Sequence, residues 1–184
     1  QRGLTLIELV MFIVIVGVAL AGVLTVLNHT VRHSADPMVR KQALAIAEGI
    51  LEEVMLRPFT WCDPDDSAAA TAVDTTGCTT VEAMGPEGTE TRGTYDNVSD
   101  YVNADGTAIS GDAFGLGDAM HAIRNVTGNA AAPLGYTASV LVVENGLNGI
   151  AVADSLLVTV AVNAPGETIQ LQGYRSRHSP NMLP

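Results

Sequence analysis

The sequence predicts an α+β protein. A long N-terminal helix, membrane-spanning in its first half and amphipathic in its second, packs on a small C-terminal antiparallel sheet, with a long loop region between them. Three observations carry this. Leu4 to Leu27 is an almost uninterrupted apolar run. Val39 to Val54 repeats apolar residues at helical spacing. Residues 136–177 hold three strand-like stretches separated by turn residues. The expected divisions are 4–35 for the apolar helix and 36–184 for a globular part. The latter comprises an amphipathic helix over 36–57, a loop region over 58–135 and strands over 136–177.

The apolar run is about 24 residues long and, as a helix, reaches roughly 36 Å, enough to cross a bilayer core. It carries one charge, Glu8. A lone carboxylate in lipid costs on the order of 3 kcal/mol, so it needs a partner or a purpose. A plain membrane anchor leaves Glu8 unexplained. A secretory signal peptide is shorter and is followed by a small-residue cleavage site, which this run lacks.

Arg2-Gly3 followed by Leu4-Thr5-Leu6-Ile7-Glu8-Leu9 resembles the processing site of type IV pilins and pseudopilins. In that family a prepilin peptidase cuts after the glycine and methylates the new N-terminus. The resemblance places the cut between Gly3 and Leu4, with Leu4 standing where the family usually has Phe, and makes Gln1-Arg2-Gly3 the end of a leader. It implies that Glu8 of one subunit meets the N-terminal amine at Leu4 of the next. That pairing removes an unsatisfied charge from an apolar setting and sets the stagger between stacked helices. The family also has a glycine matching Gly17, in a section that can stretch during assembly. Gly17 and Gly22, and the first proline, Pro37, are therefore the expected points of helix flexibility. Both glycines also permit close helix packing in a membrane.

After Leu27 the chain turns polar. His29 and His33 are four residues apart but have no third ligand nearby, so they are read as solvated histidines. Asp36-Pro37 has the form of a helix start, Asp36 as N-cap and Pro37 in the first turn, so a kink or interruption is expected near 33–37. Val39, Ala43, Ile46, Ala47, Ile50, Leu51 and Val54 then form one apolar face, and Pro58 ends the helix. The stretch from Ala43 to Phe59 resembles the helix of minor pilins of MSHA-type (mannose-sensitive haemagglutinin) pili. Tyr95-Asp96-Asn97-Val98-Ser99-Asp100-Tyr101 is similar to a tyrosine-bounded stretch of the same proteins, and its aromatics are expected to cover the core. Gly173-Tyr-Arg-Ser-Arg177 resembles their last strand.

The formal net charge is −11, and between Asp63 and Asp118 the only basic residue is Arg92. An acidic surface argues against nucleic acid as a partner. Cys62 and Cys78 lie beyond the apolar run, outside any CxxC and away from histidine. A disulfide is favoured over free or metal-binding thiols if this part is periplasmic. Closing a loop of about 15 residues would contribute roughly 3 kcal/mol. Trp61 is placed to anchor the start of the loop. No cofactor is expected. Calcium would draw on Asp96, Asp100 and Asp105, with Asp112 and Asp118 further candidates, but no contiguous EF-hand loop is present and a solvated acidic face is the simpler reading. The sequons at Asn28, Asn97 and Asn125 are discounted in a bacterial protein. Tyr136–Val143, Leu156–Val162 and Thr168–Arg175 read as strands of an antiparallel meander, and the tail from His178 as loose.

No phosphate loop, nucleophile elbow or H-E-x-x-H motif is present, so no enzymatic activity is expected. The resemblance implies a minor structural subunit of an MSHA-type pilus. It would be held by one helix in the bacterial inner membrane before assembly, and afterwards lie in an extracellular pilus or periplasmic pseudopilus. Its partners would be other pilin subunits, the prepilin peptidase and the inner-membrane assembly platform. The alternatives are a minor pseudopilin of a type II secretion system, an adhesin or ligand-binding module on a pilin stem, and a monomeric anchored protein. Gly3→Val should leave an uncleaved precursor, read by N-terminal sequencing of the membrane fraction; normal processing would refute the leader assignment.

Overall fold

The computed structural model describes residues 5–181, with the backbone alone over 29–36. The first element, α1, runs Leu6–Met55. Within it, Leu6–Asn28 has a mean hydropathy of 2.9 and is long and apolar enough to cross a membrane. Its apolar side chains are exposed all round. The helix closes its own backbone hydrogen bonds, the condition for a segment placed in lipid. The Thr25 hydroxyl is satisfied the same way, donating to the Ala21 carbonyl at 2.8 Å.

The interruption expected near 33–37 is not present. Asp36 and Pro37 lie inside α1, so Asp36 is not an N-cap. A proline removes one intrahelical donor, and the turns on either side of it carry the helix through. Gly17 and Gly22 are likewise helical. Contacts divide the chain into one unit up to Val39 and a second from Arg40 onward, slightly later than the expected boundary at 36.

In the second unit the apolar stripe of α1 is buried at Ala43, Ala47, Ile50 and Val54, a spacing of four, three and four residues. Four antiparallel strands form one sheet in the order β1-β2-β3-β4: β1 (Ile109–Ser110), β2 (Thr137–Glu144), β3 (Ser155–Ala164) and β4 (Glu167–Ser176). The three later strands match the expected meander to within one or two residues. The short β1, pairing Ile109 with Val140, comes from the loop region and was not expected. Alternation buries Ala138, Val140 and Val142 on β2 and Leu156, Val158, Val160 and Val162 on β3. The β3–β4 turn is Pro165-Gly166. Proline fixes φ negative and Gly166 takes φ 90°, the combination of a type II turn. Gly173 on β4 lets the helix approach: Leu51 and Met55 lie within ordinary contact distance of where its Cβ would be.

The loop region is ordered by what it buries. Tyr95, Val98, Tyr101, Val102, Ile109, Leu116 and Ile123 all sit in the core, and the Tyr95 and Tyr101 rings meet edge to face at 5.1 Å. A buried ion pair ties this region to the helix. Arg92 Nε and Nη2 donate to the two oxygens of Glu53 at 2.7 and 2.6 Å. Arg92 Nη1 donates to the carbonyls of Gly115 and Arg124, and the Tyr101 hydroxyl donates to Glu53 at 3.0 Å. Arg92 is only 8% exposed. Removing one partner of such a pair strands the other charge and costs about 3–5 kcal/mol. Arg92→Ala should therefore lower the unfolding free energy of the chain in detergent by about 3 kcal/mol or more in a urea titration. A loss below about 1 kcal/mol, the worth of a surface pair, would contradict the buried geometry.

Candidate functional site

Glu8 lies in the first turn of α1 and is exposed there. It is the only charged residue of the apolar span. Gly3 and Leu4, the expected processing positions, lie outside the described residues. Gly17 and Gly22 have open space where a side chain would stand, so no contact within the described chain requires glycine at either.

Cys62 and Cys78 form a disulfide, with Cα atoms 5.3 Å apart. Cys62 packs with Ala69 and Ala72, and Trp61 lies against this small cluster. The enclosed loop is built on aspartates used locally. Asp66 accepts from the Ala68 and Thr80 amides, and Asp74 accepts from Thr76. These bonds hold both carboxyls below the usual carboxylate range. Trp61 also faces Arg177, whose guanidinium lies 4.0 Å from the Trp61 and Phe59 ring centres. The tail is not loose as far as Asn181, whose amide donates to the carbonyls of Ala69 and Ala72 at 2.9 and 2.8 Å.

The expected calcium candidates are dispersed. Asp105 is exposed and holds the Thr107 amide and hydroxyl in a local turn. Asp118 accepts from the Met120 and His121 amides, and Asp112 pairs with Arg124 at 2.8 Å. Asp96 lies with Asp63 and Asp65 in a partly exposed group. Burial, reinforced by Glu90 and Asp63, pushes Asp96 up to about 6.

Asp100 is wholly buried, and the fold brings Glu82 and Glu87 to it. Two local devices make this place. The turn Val98–Tyr101 is a 3-10 helix capped by Asn97, with Asp100 Oδ2 accepting from the Asp96 and Asn97 amides at 3.0 and 2.8 Å. Gly85 then seats the 82–87 segment beside it. Its amide donates to the Ser99 carbonyl at 2.9 Å, its φ is 100°, and a Cβ there would stand 2.7 Å from the Ala104 nitrogen.

Burial is the leading cause of raised pKa values throughout: Glu82 is pushed up to about 9, Asp100 to about 8, and Glu87 upward with added repulsion from Asp63 and Glu90. The Ser99 hydroxyl lies 2.6 Å from Glu82 Oε1 and 2.9 Å from Asn97 Oδ1. It has one hydrogen for two acceptors. If it serves Asn97, Glu82 must carry a proton of its own to keep the contact.

No protein family, curated protein or solved structure matches the chain. Glu82 and Glu87 could not be found from the sequence, because they sit in an unpatterned loop and reach Asp100 only through the fold. The one legible signal was the sequence around Asp100, bounded by two tyrosines. Gly85→Ala should cost about 1–3 kcal/mol, the penalty of a side chain at a strained backbone position, measured by thermal and urea unfolding. A neutral result would contradict the close seating of residues 82–87.

Proposed function

We propose that the chain is a minor structural subunit of a type IV pilus-like filament of the MSHA type, joining its neighbours through the helix that first anchors it in the membrane. The observation that carries this reading is Glu8. It is the sole charge in a span of mean hydropathy 2.9, and that span continues as one helix into an α+β unit. An anchor has no use for a carboxylate costing on the order of 3 kcal/mol in lipid. A helix that pairs Glu8 with the free N-terminal amine of a neighbour does.

The side chains of the span support the same reading. They are exposed on every face, so the helix can exchange lipid for other helices of like apolarity without losing buried surface. A disulfide in the globular unit suits an oxidising compartment on the far side of the inner membrane. Prepilin peptidase, the assembly platform and other pilin subunits are the partners this role requires.

The test is incorporation of Glu8→Ala into sheared surface filaments, beside wild type, with membrane insertion and processing confirmed for both. The mutant should be inserted and processed but missing from filaments by at least tenfold. Equal incorporation would overturn the role of Glu8. Absence of the wild type from any surface filament would overturn the pilus reading.

A further inference from the structure

We propose that Glu82, Glu87 and Asp100 form a binding site for a calcium ion in the globular unit. One carboxylate oxygen from each of the three lies within 4.8 Å of the other two. Oxygens sharing an ion at about 2.4 Å can be no further apart than about 4.8 Å, so the three can reach one calcium together.

The second observation is what these oxygens lack. Asp100 has no exposure at all. Its Oδ2 is occupied by two backbone amides, while its Oδ1 is buried with no hydrogen-bond partner. Glu82 repeats the pattern: Oε1 meets the Ser99 hydroxyl, and Oε2 is buried without a partner. Glu87 Oε1 is buried without a partner as well. Among the described residues, none of the three makes a salt bridge with Arg, Lys or His. For Glu82 and Asp100, then, one oxygen is fixed by the protein and the other is left over. That is how ligating carboxylates are usually oriented, with outer hydrogen bonds aiming the free oxygen at the metal.

Asp100 is buried and Glu82 and Glu87 are half-buried, so three negative charges here are costly unless neutralised. Protons can do it one group at a time, and the raised pKa values of Glu82 and Asp100 are those of the cation-free protein. A divalent cation neutralises the three together through one oxygen of each. The donor set is all oxygen, which excludes the soft metals. Glu82 and Glu87 stand on an irregular loop and Asp100 on the capped turn Val98–Tyr101, and such irregular ligation suits calcium better than magnesium, which demands near-ideal octahedral geometry at shorter distances. Asp63 adds to the negative field at both Glu82 and Glu87. Water and loop carbonyls would complete the six to eight ligands.

The site is independent of the filament reading, and its test needs no filament. The 184-residue chain in detergent is stripped with EDTA, dialysed and titrated with calcium chloride by calorimetry, with thermal unfolding read in parallel. The expected result is one calcium per chain with a Kd on the order of 10⁻⁴ M, the range of modules outside the cytosol, and a rise in Tm on saturation. Glu87→Gln and Glu82→Gln should each weaken binding at least tenfold, while Asp65→Asn, in the neighbouring acidic group, should leave it within twofold. Glu87 is the less buried of the two, so Glu87→Gln decides the matter if Glu82→Gln does not fold. No heat and no Tm shift at about 10 mM calcium would overturn the proposal. So would binding unchanged in Glu87→Gln, or binding lost in Asp65→Asn alone.

Discussion

The globular unit depends on the contact between Glu53 and Arg92. Glu53 borders the buried stripe of α1 beside Val54 and is itself largely covered, and Arg92 is the only cation between Asp63 and Asp118. Their bidentate pair joins the last turns of α1 to the middle of the loop region, and Arg92 then reaches two backbone carbonyls beyond it. A guanidinium serves here where an ammonium would not, because its planar fork can hold a carboxylate on one edge and carbonyls on the other. The arrangement ties three separate parts of the loop region, around Arg92, Gly115 and Arg124, to the helix.

The same scarcity of cations explains the acidic interior. With Arg92 committed to Glu53, no cation is left in the stretch for Glu82, Glu87 or Asp100, and only Arg177, from outside it and paired with Asp154, acts on Glu82. The loop region brings these acids together because its aromatic and aliphatic residues are buried beside them. Tyr95, Val98, Tyr101 and Val102 go into the core, and Asp100, between them, goes in too. Its carboxylate is useful on the way, since it accepts the two amides that start the turn.

What was legible in the sequence follows from how local each signal is. The apolar span, the stripe from Ala43 to Val54 and the three strands with alternating valines are periodic, and each was placed to within a few residues. The Pro165-Gly166 turn is equally local, two residues whose types alone suit it. Asp36-Pro37 misled, because a proline in a first turn and a proline inside a helix give the same local sequence, and only the surroundings decide. The loop region was read as a connection because its large residues are widely spaced. Their burial is set by tertiary contact, as with Ile109 pairing Val140 across 31 positions. Of the calcium candidates, Asp100 was visible and its companions were not, since 82, 87 and 100 have no ligand spacing in sequence. Asp105, another of the candidates, spends its carboxylate on its own turn.

The end of the described chain has a bearing on how the unit is made. Arg177 stacks on Phe59 and Trp61, and Asn181 donates to Ala69 and Ala72, so the last described residues close over some of the first of the loop region. Contacts across more than a hundred positions cannot form on a nascent chain until Asn181 itself has left the ribosome. The apolar helix, by contrast, closes its hydrogen bonds between near neighbours and needs no such wait. Synthesis therefore imposes an order in which Phe59, Trp61, Ala69 and Ala72 wait for Arg177 and Asn181, and these two late residues act as the clasp.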